Sequence, residues 1–209
     1  RDKAVQANNQ TYGKSSLEAL KVEIDEITKT MVDLANTEYN DNYIFGGANT
    51  KILPYEQAEN GDIIYNGTPY DNKDYIRQTE VADGVFEVIN TTGDKVFGYY
   101  KSAVEPGNGV YTDANGKRVI ESTDAQTGQK VYKYENGVEY TGDVADLTDG
   151  AEEEAVGVMG ALRKLSNSLG TVVEGLEAGD DAMVQEGYAE MNSTLDMFSD
   201  SLNTITVSY

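Results

Sequence analysis

Carboxylates are the only abundant acid–base groups of this chain. Of its 209 residues, 37 are Asp or Glu, and none is Cys, His or Trp. Thiol nucleophiles, disulfides, Cys/His zinc sites and imidazole general bases are therefore excluded. Two carboxylates about 5 to 9 Å apart could hydrolyse a glycoside, but with so many acids such pairs arise by chance on any surface. We predict no catalytic residue, no cofactor and no metal ligand.

Two short loops begin like known ligand-binding motifs and then depart from them. Asp113-Ala114-Asn115-Gly116 starts like a calcium loop, but its Gly is at the fourth position and that loop needs Gly at the sixth. Gly107-Asn108-Gly109 lacks the third glycine of a dinucleotide loop. Ten of the fifteen tyrosines lie between Tyr55 and Tyr140, where they could stack on sugars or pack between strands.

The charge balance restricts the partners that the chain can bind. Lys and Arg number 16 against 37 acids, which gives a formal net charge of −21. Such a chain repels nucleic acid and anionic membrane surfaces, and it contains no apolar run long enough to span a bilayer. Arg1-Asp2-Lys3-Ala4 is not a signal peptide, and an apolar helical pattern continues to Tyr209. We expect the chain to be a piece of a longer protein, monomeric when isolated.

The sequence predicts a helix near the start of the chain. Ser15 and Glu18 match a capping box, and the helix should end near Asn40, where polar residues and then Gly46-Gly47 follow. The apolar residues recur at spacings of three and four, which is a heptad seam. The members of this seam are Leu17, Leu20, Ile24, Ile27, Met31 and Leu34.

The last part of the sequence predicts two more helices. Asp149 and Glu152 suggest a capping box before the first, Gly179 a stop, and Asp180 the next N-cap. The apolar seam of the first helix consists of Val158, Leu162, Leu165, Leu169, Val172 and Leu176. That of the second is Val184, Tyr188, Met191, Leu195, Phe198 and Leu202. These seams must be buried, either inside one chain or against other subunits.

Residues 52–148 favour β-structure. All three prolines lie there, and turn dipeptides such as Asn60-Gly61, Asp83-Gly84, Asn115-Gly116 and Thr127-Gly128 separate short β-prone runs. These dipeptides favour hairpins in an antiparallel sandwich or barrel. We therefore predict an α+β fold. Residues 1–51 and 149–209 form a discontinuous domain, an elongated antiparallel helical bundle from both chain ends, and residues 52–148 form an inserted, mostly antiparallel β domain.

A compact motif follows the first predicted helix: Asn42, Tyr43, Ile44, Phe45, Gly46 and Gly47. Its aromatic and apolar side chains end in two glycines, and it should turn the chain from the helices into the β-rich part. It also carries a resemblance. Together with Ala4–Asn9 and Asp33–Thr37, it resembles the bacterial flagellin family, and within that family the hook-associated proteins. Tyr65–Gly67, Asn90–Gly98 and Leu176–Asp181 resemble further stretches of the same proteins, in the same order.

The resemblance implies a flagellin-like helical core domain and a structural role outside the cell. Proteins of this type link the flagellar hook to the filament, so the implied partners are further copies in a ring, a neighbouring hook-associated protein, flagellin and an export chaperone. Export without a cleavable signal peptide is implied as well. A filament subunit, or a glycan-binding β domain on a helical stalk, remains an alternative.

Overall fold

The computed structural model describes residues 13–67, 78–88, 92–135 and 137–207. The motif Ala4–Asn9 and Tyr209 lie outside these residues. The helices of the described part are α1 (Lys14–Ala35), α2 (Gly93–Val96), α3 (Gly157–Ala178) and α4 (Asp181–Val207), with a 3₁₀ turn at Val144–Asp146. The strands are β1 (Glu38–Tyr39), β2 (Asn42–Tyr43), β3 (Tyr55–Gln57), β4 (Ile63–Tyr65), β5 (Gln78–Ala82), β6 (Val85–Val88), β7 (Tyr99–Lys101), β8 (Val110–Thr112), β9 (Arg118–Thr123), β10 (Lys130–Tyr134), β11 (Thr148–Asp149) and β12 (Glu154–Val156).

Helix α1 is bounded differently from its prediction. Its N-cap is Gly13, which has no side chain to bond the first turn, so the capping box of Ser15 and Glu18 is wrong. The helix ends at Ala35, with Asn36 as its C-cap, and does not reach Asn40. It stops early because Asn36 bonds the backbone of β3 and because Asn40 has a φ of 50°, which no right-handed helix accommodates.

Helix α3 also begins later than predicted. Asp149 is part of β11, where its carboxylate accepts hydrogen bonds from the Gly107 N–H, so the capping box with Glu152 is wrong. Glu154–Val156 form β12 beside β7 before the helix starts at Gly157. The predicted stop at Gly179 is confirmed, since this residue adopts a φ of 67°.

The N-cap of α4 is confirmed as well. The Asp180 side chain accepts hydrogen bonds from the backbone N–H groups of Ala182 at 3.0 Å and Met183 at 3.1 Å. Such a cap satisfies donors that the first helical turn leaves without a partner. The tight Gly179-Asp180 connection makes α3 and α4 antiparallel neighbours.

The long helices pack through two apolar clusters. The first joins α1, α3 and α4 through Leu17, Ile24, Val158, Leu162, Leu165, Leu169, Val172, Tyr188 and Met191. The second joins α1 and α3 to β3, β4 and β7 through Val32, Ala35, Tyr55, Ile63, Phe97, Tyr100 and Met159. Each fully buried side chain of this size contributes about 1.5 to 3 kcal/mol.

The seams are only partly covered by these clusters. Leu20, Met31, Val184, Leu195 and Phe198 are partly buried. Ile27, Leu34 and Leu202 are 43, 58 and 39% exposed, so this chain does not bury these three seam positions by itself. The buried face of α1 passes instead through Thr28, Val32 and Ala35, because a straight helix of 3.6 residues per turn drifts away from a heptad stripe.

The strands pair antiparallel in several separate sheets. One sheet has the order β10-β9-β8-β11, another β12-β7-β4-β3, and β1-β2 and β5-β6 are two-stranded. Four predicted turns are confirmed: Asn60-Gly61, Asp83-Gly84, Asn115-Gly116 and Thr127-Gly128 each connect two paired strands, with the glycine at positive φ. Thr92 is the N-cap of the short helix α2, which begins at Gly93.

The chain separates into two compact units. One unit comprises the residues up to Lys101 and those from Ala155, and the other is Ser102–Glu154. Strands β3, β4 and β7 belong to the first unit, because Tyr55, Ile63 and Tyr100 are buried against α1 and α3. The second unit contains the sheet of β8 to β11.

Candidate functional site: an aromatic joint between helices and sheet

The Asn42–Gly47 motif begins in a two-residue hairpin directly after α1. Asn40 and Asp41 form its turn with φ angles of 50° and 57°, a conformation that Asn and Asp tolerate better than other residues with a side chain. The Asn42 side chain accepts a hydrogen bond from the Thr50 hydroxyl at 3.0 Å, and the Tyr43 N–H donates to the Thr50 carbonyl at 2.8 Å. The hairpin is thus held against the loop that follows it.

Phe45 and Ile44 have opposite environments. The Phe45 ring packs edge-to-face on Phe97, with centroids 4.9 Å apart, whereas Ile44 is 51% exposed. Gly46 is buried, and a Cβ there would lie 2.7 Å from the Asn49 carbonyl oxygen. The glycine is required because the chain folds back on itself immediately behind Phe45.

Phe45, Tyr55, Tyr65 and Phe97 together form a cluster that we call the aromatic joint. The Phe45 carbonyl accepts hydrogen bonds from the Tyr65 hydroxyl at 2.8 Å and from the Gly93 N–H at 3.1 Å. The Tyr55 ring lies 5.0 Å from Tyr65 and 6.2 Å from Phe97. Segments far apart in sequence therefore meet around one carbonyl group.

Tyr55 connects the joint to α1 and to β7. Its backbone N–H donates to the Asn36 side chain at 2.8 Å, and its carbonyl accepts from the same side chain at 2.9 Å. Its hydroxyl donates to the Gly98 carbonyl at 2.9 Å. Burial raises the pKa of Tyr55 well above its usual range, and burial also raises the pKa of Tyr65, although the Gly93 N–H acts in the opposite direction. Both phenols are neutral donors at physiological pH.

The joint closes on α3 through two glycines in backbone contact. Gly98 has a φ of 76°, and a Cβ there would lie 1.8 Å from the Val156 carbonyl oxygen. Gly157 has a φ of 64°, and its Cβ would lie 2.8 Å from the Gly98 Cα. The Met159 N–H donates to the Phe97 carbonyl at 2.8 Å. This arrangement fixes the first turn of α3 against the end of α2.

The acidic and aromatic groups of the second unit pair with one another. The Glu121 carboxylate accepts from the Tyr132 hydroxyl at 2.9 Å and the Tyr111 hydroxyl at 3.2 Å, and Lys130 lies 2.8 Å away. The hydrogen bond from Lys130, with that from Tyr132, lowers the pKa of Glu121. The Tyr111 and Tyr132 rings pack edge-to-face at 5.8 Å. Tyrosine packing between strands accounts for these rings.

Asp113, the first residue of the calcium-like loop, forms a turn. Its carboxylate accepts from the backbone N–H groups of Asn115 and Lys117, both at 2.9 Å, and these bonds lower its pKa. Among the described residues, no cluster of acidic side chains is placed to hold a metal ion. No helix in that part of the chain combines the length and the apolarity needed to cross a bilayer.

Sequence reasoning found the Asn42–Gly47 motif but missed most of its partners. Asn36, Tyr55, Gly98 and Gly157 were not singled out as a group, and nothing in their local spacing connects them. The sequence contains only an indirect indication of these partners, since glycines at 93 and 98 interrupt a segment that is otherwise prone to regular structure.

Neither a family model nor a curated protein matches the chain, but solved structures do. The chain is similar to flagellar hook-associated protein 3. The Legionella pneumophila protein of this name is 15% identical over 99% of this chain and 80% of its own, with a TM-score of 0.47.

Two further solved structures give the same level of similarity. FlgL from Xanthomonas campestris is 18% identical over 99% of this chain and 81% of its own, with a TM-score of 0.47. The flagellar junction protein FlgL from Legionella pneumophila is 16% identical over 99% and 85%, with a TM-score of 0.46. At this identity the likeness concerns the fold, which mixes helices with antiparallel sheets.

Proposed function

We propose that the chain is a structural component of the bacterial flagellum that links the hook to the filament, and that it is not an enzyme. One observation carries this proposal. Phe45, Tyr65 and Gly93 come from three separate stretches that resemble the hook-associated proteins, and they meet at one carbonyl group. Stretches that match in the same order and also meet in one contact indicate a shared architecture, because chance matches would not be expected to meet in the fold.

The proposed role is mechanical. The helices α1, α3 and α4 serve as the core domain of the subunit, a bundle drawn from both parts of the chain, and the aromatic joint fixes the β-strands of the first unit to it. The subunits form a ring outside the cell, between a neighbouring hook-associated protein and flagellin, after export with a chaperone and without a cleaved signal. The joint suits load transmission, because its tyrosine hydroxyls donate to backbone carbonyls of Gly98 and Phe45 and so tie separate segments together.

Deletion of the complete gene tests the proposal. We expect cells that retain the hook, lack a filament and release flagellin into the medium, and we expect restoration when the gene is returned. A normal filament in the deletion strain would overturn the proposal.

Labelling distinguishes the junction from the filament subunit. An antibody against the chain should mark a single position at the base of each filament, and the protein should be a trace component of sheared flagella. Labelling along the whole filament would instead assign the chain as the filament subunit.

A further inference from the structure

The segment Gly107-Asn108-Gly109 forms an exposed loop directly before β8. Both of its glycines adopt positive φ angles, 91° at Gly107 and 73° at Gly109. The Gly107 N–H donates to both oxygens of the Asp149 carboxylate at 3.1 Å, and the Asn108 side-chain amide donates to the Glu105 carbonyl at 3.0 Å. These bonds hold the part of the loop that precedes Asn108.

The backbone nitrogen that follows Asn108 is in a different situation. Within the part of the chain that the structure describes, no group accepts a hydrogen bond from the Gly109 N–H, although the Gly109 carbonyl accepts one from the Glu121 N–H at 2.8 Å. Asn108 is exposed, and Gly109 has no side chain that would hinder an approach to its nitrogen. An amide nitrogen that is not engaged therefore lies next to an exposed side-chain amide.

The pairs Asn60-Gly61 and Asn115-Gly116 differ from this one at the glycine nitrogen. The Gly61 N–H donates to the Ala58 carbonyl at 2.9 Å, and the Gly116 N–H donates to the Asp113 carbonyl at 2.9 Å. Each bond closes a hairpin turn and must break before the nitrogen can react. All three asparagines are exposed, so exposure does not distinguish the pairs, whereas the hydrogen bond of the glycine nitrogen does.

An Asn-Gly pair can react with itself and with water, and Asn is among the thermolabile residues. Once the glycine nitrogen loses its proton, it can attack Cγ of the preceding Asn. The new C–N bond closes a five-membered succinimide ring, while Nδ2 takes up a proton and leaves as ammonia. Water then opens the ring at either carbonyl, which gives Asp or isoaspartate. One water is consumed and one ammonia is released, so the reaction needs neither an oxidant nor a reductant.

We propose that Asn108 is a site of spontaneous deamidation and that it reacts faster in the folded chain than Asn60 and Asn115. The inference does not depend on the proposed function. The modification adds a carboxylate to the loop, and the isoaspartate form also adds a methylene group to the backbone. Because no enzyme is required, the modified fraction should rise with the age of the chain.

Peptide mapping of the intact chain, after incubation at mildly alkaline pH, measures the rates. Trypsin releases residues 102–117 as one peptide, so fragment-ion masses compare Asn108 with Asn115 in the same molecule. We expect Asn108 to react at least about fivefold faster than Asn115 or Asn60, because a turn hydrogen bond protects the latter two. Isoaspartate should accompany Asp at position 108, since direct hydrolysis of the side chain would give Asp alone. Equal rates in the folded chain would overturn the proposal.

The unfolded chain shows whether the fold sets the difference. In concentrated guanidinium chloride the turn hydrogen bonds are lost, so Asn108 and Asn115 should react at similar rates. A difference that persisted in the unfolded chain would assign the preference to the local sequence and would also overturn the proposal. No ranking is proposed for Asn66 or Asn136, since the first is followed by residues outside the described part and the second lies outside it.

Two matched variants identify the reacting residue by a separate measurement. Deamidation adds one negative charge, so anion-exchange chromatography of the incubated chain should show a new, later-eluting form. Asn108→Gln should remove this form, because Gln would have to close a less favourable six-membered ring. Asn115→Gln should leave its rate of formation unchanged. Both positions are exposed, so both variants should keep the far-UV circular dichroism of the wild type. Formation of the acidic species at the wild-type rate in Asn108→Gln would overturn the proposal.

Discussion

Gly98 is the residue at which the backbones of the aromatic joint approach most closely. Its positive φ alone would cost an alanine about 1 to 2 kcal/mol, and the alanine Cβ would also meet the Val156 carbonyl. We expect Gly98→Ala to lower the free energy of unfolding by at least about 2 kcal/mol more than Gly179→Ala. Gly179 has a similar φ of 67° but open space around it. Urea unfolding of both variants provides the comparison, and equal losses would show that the close contact is not maintained.

Tyr55 and Tyr65 make the stability of the first unit sensitive to alkaline pH. Their pKa values are raised above the ordinary value of 10 by burial, so the folded state keeps protons that the unfolded state loses. The contribution is complete below about pH 10 and is lost as pH rises further. We expect the free energy of unfolding to fall between about pH 10 and pH 11.5.

Two tyrosine variants test this origin of the pH dependence. Tyr55→Phe should be less stable than the wild type at pH 8 by about 1 to 3 kcal/mol, because the buried Gly98 carbonyl loses its partner, and should lose less stability between pH 10 and 11.5. Tyr39→Phe, at a position that is 71% exposed, should lose as much unfolding free energy between pH 10 and 11.5 as the wild type does. If Tyr55→Phe also lost as much as the wild type, the loss of stability at alkaline pH would come from other groups.

At the scale of elements, the local patterns predicted which helices and turns exist. Apolar residues at spacings of three and four predicted α1, α3 and α4, and Asn-Gly or Asp-Gly pairs predicted turns such as Asn115-Gly116, because these signals depend on neighbouring residues only. Helix ends were predicted less well. Asp149 has the chemistry of an N-cap, but it is used in a strand, so long-range pairing decided the boundary.

The aromatic joint could not be predicted from the sequence, apart from the Asn42–Gly47 motif. Tyr55 and Gly98 are 43 residues apart in the chain, and neither residue type specifies such a partner. Likewise, the heptad pattern did not distinguish seam positions buried by α3 from those left open, because periodicity gives a direction on the helix and not the identity of the neighbour.

Seam positions on α3 should therefore differ in their energetic importance. Leu169 is fully buried, whereas Leu176, seven residues later on the same seam, is 43% exposed. We expect Leu169→Ala to lower the free energy of unfolding by about 2 to 5 kcal/mol and Leu176→Ala by less than about 1 kcal/mol. Urea denaturation checks both. Comparable losses would mean that the end of α3 is covered in solution.

At the scale of the whole molecule, charge governs association. At a net charge of −21, copies of the chain repel one another, and we expect a monomer at micromolar concentration and neutral pH. Acidification toward the sequence pI of about 4.1 removes the repulsion as carboxylates are protonated, so the mass measured by light scattering should rise. Added salt at neutral pH should act in the same direction by screening. A stable ring at neutral pH and low salt would contradict this expectation, because it would require contacts strong enough to overcome the repulsion without any further segment of the protein.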